Sequence, residues 1–164
     1  GAVGIAFYYM YLTTQQFKRD PLTHALNRRY FYLDADRLMK SKCLTAVISI
    51  DLNDLKRFND ENGHAAGDAA LCTIVACIQN ILPRGCHLYR TGGDEFMILC
   101  SRVSKDDVPA LIDHMRGEIS KTPYCCAIGF ATPDADEDFE HICSIADAAM
   151  YANKKQLKGE DKIR

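Results

Sequence analysis

Residues Arg90–Leu99 read Arg-Thr-Gly-Gly-Asp-Glu-Phe-Met-Ile-Leu. A glycine pair between two apolar stretches is a hairpin signal. His87 to Arg90 and Glu95 to Cys100 therefore read as two strands joined at Gly92-Gly93. Adjacent carboxylates repel, and strands disfavour them, so a positive partner is expected. Side chains alternate along a regular strand, so Asp94 and Glu95 either distort the turn or do different jobs. A hairpin with two acids exposed to solvent is the plain alternative.

A third acid stands on another strand. Leu44 to Asp51 (LTAVISID) is apolar and β-branched, the pattern of a buried strand. Asp51 closes it, at the edge where open α/β sheets bind ligands. A helix is expected over about Asp54 to Asn62, ending at Gly63, and its first N–H groups favour phosphate. Lys56 and Asn59 share one face of that helix: Lys56 suits a phosphate as a point charge, and Asn59 offers a donor and an acceptor to a base edge. The alternative is a helix start capped by Asn53, with Lys56 solvated. Should the hairpin pair beside the Asp51 strand, Asp51 and Asp94 converge, and each raises the other's pKa unless a cation binds. Mg²⁺ takes a few carboxylates plus phosphate oxygens, so it suits such a pair. Glu95 is a further ligand or assists deprotonation of a hydroxyl.

The remaining pattern sets the fold class. Ala25 to Lys40 reads as a helix capped by Thr23, with Leu26, Tyr30, Leu33 and Leu38 inward. Asp68 opens a helix carrying Leu71, Ile74, Val75, Ile78 and Leu82; its bland role is that of an N-cap after a linker glycine. Val108 to Ile119 is a helix and Tyr124 to Ala131 a strand. Phe139 to Lys155 is a helix with Ile142, Ile145, Ala149 and Met150 inward. The order βα, ββ, αβα fits an α/β (α+β) layer fold: helices over an antiparallel-dominated central sheet.

The chain has 164 residues, 48% hydrophobic and 26% charged, with a net charge of −2. That is one soluble domain with a real core. No basic patch suggests nucleic-acid binding, so an anionic substrate must be held locally. None of the eight cysteines forms a Cys-x-x-Cys pair, and most lie in apolar runs, as reduced core cysteines of a cytosolic domain do. Gly1 to Phe17 carries no charged side chain and is followed by Lys18 and Arg19. It reads either as the end of a transmembrane helix with basic residues on the cytoplasmic side, or as a lead-in helix of a soluble domain. Residues 1–19 are thus set apart from a domain over 20–164.

Several motifs now align in order with one family. Gly92-Gly93-Asp94-Glu95-Phe96 resembles the signature of the GGDEF diguanylate cyclases. Asp20-Pro-Leu-Thr-His-Ala-Leu-Asn-Arg-Arg29 resembles the family's D-P-L-T-G-A-L-N-R-R, with His24 for Gly. Asp51-Leu-Asn-Asp-Leu-Lys-Arg-Phe-Asn-Asp60 resembles D-[IL]-[DN]-x-[FL]-K-x-x-N-D. Gly63-His64 with Gly67-Asp68 resembles G-H-x-x-G-D, and Ala146-Asp-Ala-Ala-Met-Tyr151 resembles A-D-x-A-[LM]-Y.

The resemblance implies a palm-like, ferredoxin-like nucleotidyl-cyclase fold. It implies a homodimer holding one GTP per domain, each 3′-hydroxyl attacking the partner's α-phosphate to give cyclic di-GMP and two pyrophosphates. Asp51, Asp94 and the Leu52 carbonyl would hold Mg²⁺ (or Mn²⁺), and Glu95 would act at the metal and the attacking hydroxyl. Asn59 and Asp68 would read guanine. The N–H groups of Asp54 and Leu55, with Lys56 and Lys154, would hold phosphate. An upstream sensor domain in a longer, possibly membrane-anchored parent is implied, with the catalytic domain cytoplasmic.

Three departures stand out. After Lys154 the family often has Gly and Arg; here Leu157 and Lys158 replace them, and Lys158 keeps the charge without the bidentate fork. His24 replaces the turn glycine. Pro83 and Cys86 occupy the positions of the family's R-x-x-D product-inhibition site, so no tight product feedback is expected there. The competing readings are a catalytically silent GTP-binding regulatory module and a cyclase that also accepts ATP.

Overall fold

The computed structural model describes residues 1–161. Its elements are α1 (Ala2–Gln16), β1 (Leu26–Asn27), α2 (Arg28–Lys40), β2 (Ala46–Leu52), α3 (Leu55–Asn62) and α4 (His64–Gln79). There follow β3 (Cys86–Arg90), β4 (Glu95–Cys100), α5 (Val108–Ser120), β5 (Cys126–Ala131) and α6 (Phe139–Asp161). The five strands lie in the order β1-β3-β4-β2-β5. Every pairing is antiparallel except β1 with β3, the antiparallel-dominated palm expected from the sequence.

β2 lies inside the sheet between β4 and β5, and all seven of its residues are buried. Its alternation feeds two cores. Ala46, Ile48, Ile50 and Leu52 join α4 and α5 on one face; Val47 joins α2 and α6 on the other. Ser49 and Asp51 share the Val47 face, where they are buried polar groups. Burying each large apolar side chain contributes about 1.5–3 kcal/mol, so β2 is an anchored platform for the acid at its end.

α6 crosses β5 in direct backbone contact. A Cβ on Gly129 would lie 2.0 Å from the Met150 nitrogen and 2.6 Å from the Ala146 carbonyl oxygen. Glycine is required there because helix backbone occupies the side-chain space.

Several boundaries differ from those the sequence suggests. α2 begins at Arg28, and its cap is Asn27, whose side chain accepts from the Tyr30 N–H at 3.1 Å. Thr23 is not a cap: its N–H and hydroxyl both donate to Asp20, each at 2.8 Å. Leu26 and Asn27 are drawn out of the helix into a parallel pair with Tyr89 and Arg90. α4 begins at His64, so Asp68 lies within the helix and opens nothing. Leu33 and Ile145, expected inward, are 51% and 42% exposed.

α1 buries none of its side chains on the domain. Among the described residues no helix is long and apolar enough to cross a membrane.

Candidate active site

The strand register brings the acids together. Asp51 on β2 pairs directly with Glu95 on β4, and the Leu52 N–H donates to the Asp94 carbonyl at 3.0 Å. The question of how two consecutive acids share a strand mouth is settled by the turn. Thr91 and Gly92 both donate to the Glu95 carbonyl, at 3.1 and 3.3 Å, which closes the hairpin and leaves Asp94 on the turn and Glu95 on the strand. Gly92 does not have a positive φ. It is glycine because a Cβ would lie 2.8 Å from Glu95 Oε2; the missing side chain makes room for the carboxylate.

The cation that offsets the acids is Lys154, from α6. Its Nζ lies 2.5 Å from Asp51 Oδ2, and the two side chains are 25% and 8% exposed. Arg90 turns the other way: it donates to the Gly93 carbonyl at 2.8 Å and pairs with Asp20 at 3.0 Å. Burial opposes ionisation of Asp20, but the Thr23 donors and the Arg90 guanidinium outweigh it and hold the carboxyl below its ordinary value. The opening motif thus braces the Gly92-Gly93 turn.

Around Asp51 the balance runs the other way. Burial, with repulsion from Asp94, raises its pKa despite the Lys154 hydrogen bond. Glu95 is raised by burial and by Asp94, Asp51 and Asp147, with Lys154 opposing. Lys154 is raised, mainly by its hydrogen bond to Asp51. One cation faces several carboxylates, and Asp51 Oδ1 is buried with no hydrogen-bond partner. Such an orphaned oxygen fits a cation ligand. Among the described residues no three His, Cys, Asp or Glu side chains gather in ligating geometry. Asp51 beside Asp94 is a carboxylate pair, the kind Mg²⁺ uses when phosphate oxygens complete the shell.

Beyond β2 the chain turns sharply into α3. Asp54 takes φ +54° and caps nothing with its side chain, so the first-turn N–H groups of α3 carry no side-chain partner and favour an anion. Asp54, Leu55 and Lys158 line one cavity of about 250 Å³ with Asn53 and Tyr124. Lys158 therefore stands beside the helix start. Lys56 is exposed and is not among that cavity's lining residues, so the structure does not join it to the others.

Asn59 is half-buried, and its Oδ1 is a second orphan. A Cβ on Gly67 would lie 1.7 Å from that oxygen. The glycine of Gly67-Asp68, taken for a linker from sequence, is a helical residue whose missing side chain seats the Asn59 amide. Asp68 follows it, exposed.

Sequence reading overlooked two supports. Ser49 donates to Asp147 Oδ1 at 2.6 Å, beside the Lys154–Asp51 pair on the same strand face. The signal was present: Ser49 and Asp51 are the polar positions of an otherwise apolar strand. Asn153 Oδ1 accepts from the Ile128 N–H at 2.9 Å and from Arg116 at 3.1 Å, fixing α6 to β5 one residue before Lys154.

Comparison with known proteins agrees with this geometry. Residues 17–160 match the family model described as diguanylate cyclase, GGDEF domain. The chain is 28% identical over 145 residues to diguanylate cyclase DgcM of Escherichia coli, covering 82% of this chain and 35% of DgcM. It is also 28% identical over 159 residues to the cyclic di-GMP phosphodiesterase PdeR of Escherichia coli, covering 91% of this chain and 22% of PdeR. The crystal structure of the coiled coil and GGDEF domain of DgcB from Caulobacter crescentus superposes with a TM-score of 0.86 at 23% identity, covering 94% of this chain and 90% of that one. The chain spans about a third of the length of the first curated relatives it matches. With the family model matched across nearly its whole length and the acids of the signature gathered at one strand mouth, the chain belongs to the GGDEF-domain diguanylate cyclase family.

Proposed function

We propose that this domain is an active diguanylate cyclase: two copies, each holding one GTP, condense their substrates into cyclic di-GMP and two pyrophosphates. The observation that carries the reading is the orphaned, buried Asp51 Oδ1, set beside Asp94 and Glu95 and next to an uncapped helix start.

Asp51 and Asp94, with the Leu52 carbonyl, would hold Mg²⁺ or Mn²⁺. Bound there, the metal would neutralise phosphate charge and make the attacking hydroxyl more acidic. Lys154 holds Asp51 in place and adds positive charge where phosphate enters. The N–H groups of Asp54 and Leu55, with Lys158, bind the phosphates, and Lys56 adds charge at the rim. Asn59 and Asp68 read guanine: a carboxylate accepts from the N1–H and the amino group together. Glu95 has its pKa raised by burial and by neighbouring acids and receives the 3′-hydroxyl proton as the oxygen attacks the partner's α-phosphate and pyrophosphate leaves.

Residues 1–19 form a lead-in arm to residues 20–164. α1 leaves its side chains off the domain, as an arm to an upstream sensor would. A GTP-consuming domain of this kind works in the cytoplasm, whether or not its parent is membrane-anchored.

The second reading, a silent regulatory GTP-binding module, draws on the match within a phosphodiesterase and on Lys158 in place of Arg. Incubation with GTP and Mg²⁺, followed by chromatography, separates them. Cyclic di-GMP, with specific activity rising with protein concentration as a two-domain reaction requires, supports the cyclase. GTP binding without product supports the silent module. Mixed-nucleotide competition tests discrimination against ATP.

A further inference from the structure

We propose that Cys86 and Cys100 form a reversible two-electron redox site, whose oxidised form is a disulfide stapling the β3–β4 hairpin.

The pair is assembled by register. Cys86 on β3 lies directly opposite Cys100 on β4. The adjacent pair, Gly85 and Ser101, is a hydrogen-bonded one, since the Ser101 N–H donates to the Gly85 carbonyl at 3.0 Å. Pair types alternate along an antiparallel ladder, so Cys86 and Cys100 occupy a non-hydrogen-bonded position, where facing Cα atoms are about 4.5 Å apart. That spacing lies within the range a disulfide spans without backbone movement. The two Sγ atoms are already 3.0 Å apart.

Access and reactivity divide between the two. Cys100 is fully buried; Cys86 is 6% exposed and borders two surface clefts of about 310 and 410 Å³. Arg19 lines one cleft, and Arg37, Arg84 and Arg102 line the other. The hydrogen bond shared with Cys100 lowers the Cys86 pKa against its burial. The same bond, burial and the charge on Cys86 push Cys100 up. Cys86, which reaches both clefts, is therefore the attacking sulfur, and the fully buried Cys100 the resolving one.

With hydrogen peroxide as oxidant, the Cys86 thiolate attacks one peroxide oxygen. The O–O bond breaks, and Cys86 becomes a sulfenic acid as the first water leaves. The Cys100 sulfur then attacks Cys86 Sγ, the S–O bond breaks, and the second water carries off the remaining proton. Two thiols have given up two electrons and two protons to one peroxide. A small thiol reverses the step by exchange. The staple lies at the end of the hairpin away from Gly92-Gly93, so it leaves Asp94 and Glu95 free to bind.

The test uses the full chain at low micromolar concentration. The protein is treated with hydrogen peroxide, denatured in N-ethylmaleimide, digested without reductant and mapped by mass spectrometry. The expected result is a peptide pair joined through Cys86 and Cys100, lost after dithiothreitol. In Cys100→Ala the cross-link is absent and Cys86 carries sulfenic or sulfinic acid. Full maleimide labelling of both residues in oxidised wild type, while exposed Cys43 or Cys125 is consumed, overturns the proposal. So does a cross-link that pairs either residue with a different cysteine.

Discussion

Gly67→Ala separates the fold from the proposed nucleotide site. The new Cβ would lie 1.7 Å from Asn59 Oδ1, 2.7 Å from its Cγ and 3.1 Å from its Nδ2. Real Cβ atoms do not tolerate such contacts, so the Asn59 side chain must swing away while the backbone stays. For the unliganded fold two small terms oppose: alanine in a helix interior gains about 0.5–1 kcal/mol over glycine, and forcing Asn59 from its rotamer costs roughly 0.5–1.5 kcal/mol. The melting temperature should move by no more than about 2–4 °C, the equivalent of ~1 kcal/mol. For GTP the loss is larger, because a well-placed amide–base contact is worth about 1–3 kcal/mol, or roughly 5- to 150-fold in Kd. Titration calorimetry with a non-hydrolysable GTP analogue measures it, and Asn59→Ala completes a double-mutant cycle. The two substitutions remove the same contact, so Gly67→Ala should cost almost nothing in the Asn59→Ala background. Unchanged affinity in Gly67→Ala alone, or an equal loss in both backgrounds, would show that the amide seated on Gly67 is not the base reader.

His24 sits at φ +61°, a region that costs a side chain about 1–2 kcal/mol and glycine little, so His24→Gly should raise the melting temperature by about 2–4 °C; a fall would show that His24 makes a compensating contact. Asp51 and Glu95 have folded pKa values above the ordinary carboxylate value, so their contribution to stability is present below about pH 4 and is lost as pH rises through the folded values. Mg²⁺ relieves this by pairing with the ionised forms, so its stabilisation in a thermal melt should be larger at pH 7.5 than at pH 5. An equal shift at both would place the cation elsewhere. Glu95→Gln should keep GTP and Mg²⁺ binding and lose turnover, since Asp51 and Asp94 remain; full turnover in steady-state assays would remove Glu95 from proton transfer.

What could be read from sequence was what depends on local pattern. The β2 run, the Gly-Gly turn and the apolar spacing of α4 each carry a period or a breaker, and each appears in the structure. The convergence of Asp51 with Asp94 and Glu95 was legible only on the condition that β2 pairs with β4, which no local pattern fixes. What escaped is long-range. Leu26 and Asn27 have helical neighbours, yet the parallel edge of β3 captures them. Two glycines escaped for a nearer reason: they look like flexible punctuation, but a Cβ on Gly67 would collide with the Asn59 side chain and one on Gly92 with that of Glu95, three residues on. The partner of Asp51 lies on α6, over a hundred residues away, and only the crossing at Gly129 brings it there.

The same logic assigns two kinds of work to the polar residues of this fold. Lys154, Ser49 and Asp147 tie α6 to the strand that carries Asp51. Asp20, Thr23 and Arg90 tie the chain leaving the lead-in arm to the carbonyl of Gly93. The Asp20–Arg90 pair is 17% exposed on each side, and Asp20 Oδ2 accepts from the Thr23 N–H, the Thr23 hydroxyl and Arg90, so it resists screening better than a surface pair. Asp51 is buried, and its Oδ1 has no hydrogen-bond partner. A carboxylate whose donors come from neighbouring side chains and backbone braces the fold; a buried one left with an orphaned oxygen beside another acid keeps the capacity to bind a cation. That contrast, rather than the presence of acids as such, separates Asp51, the proposed metal ligand, from Asp20.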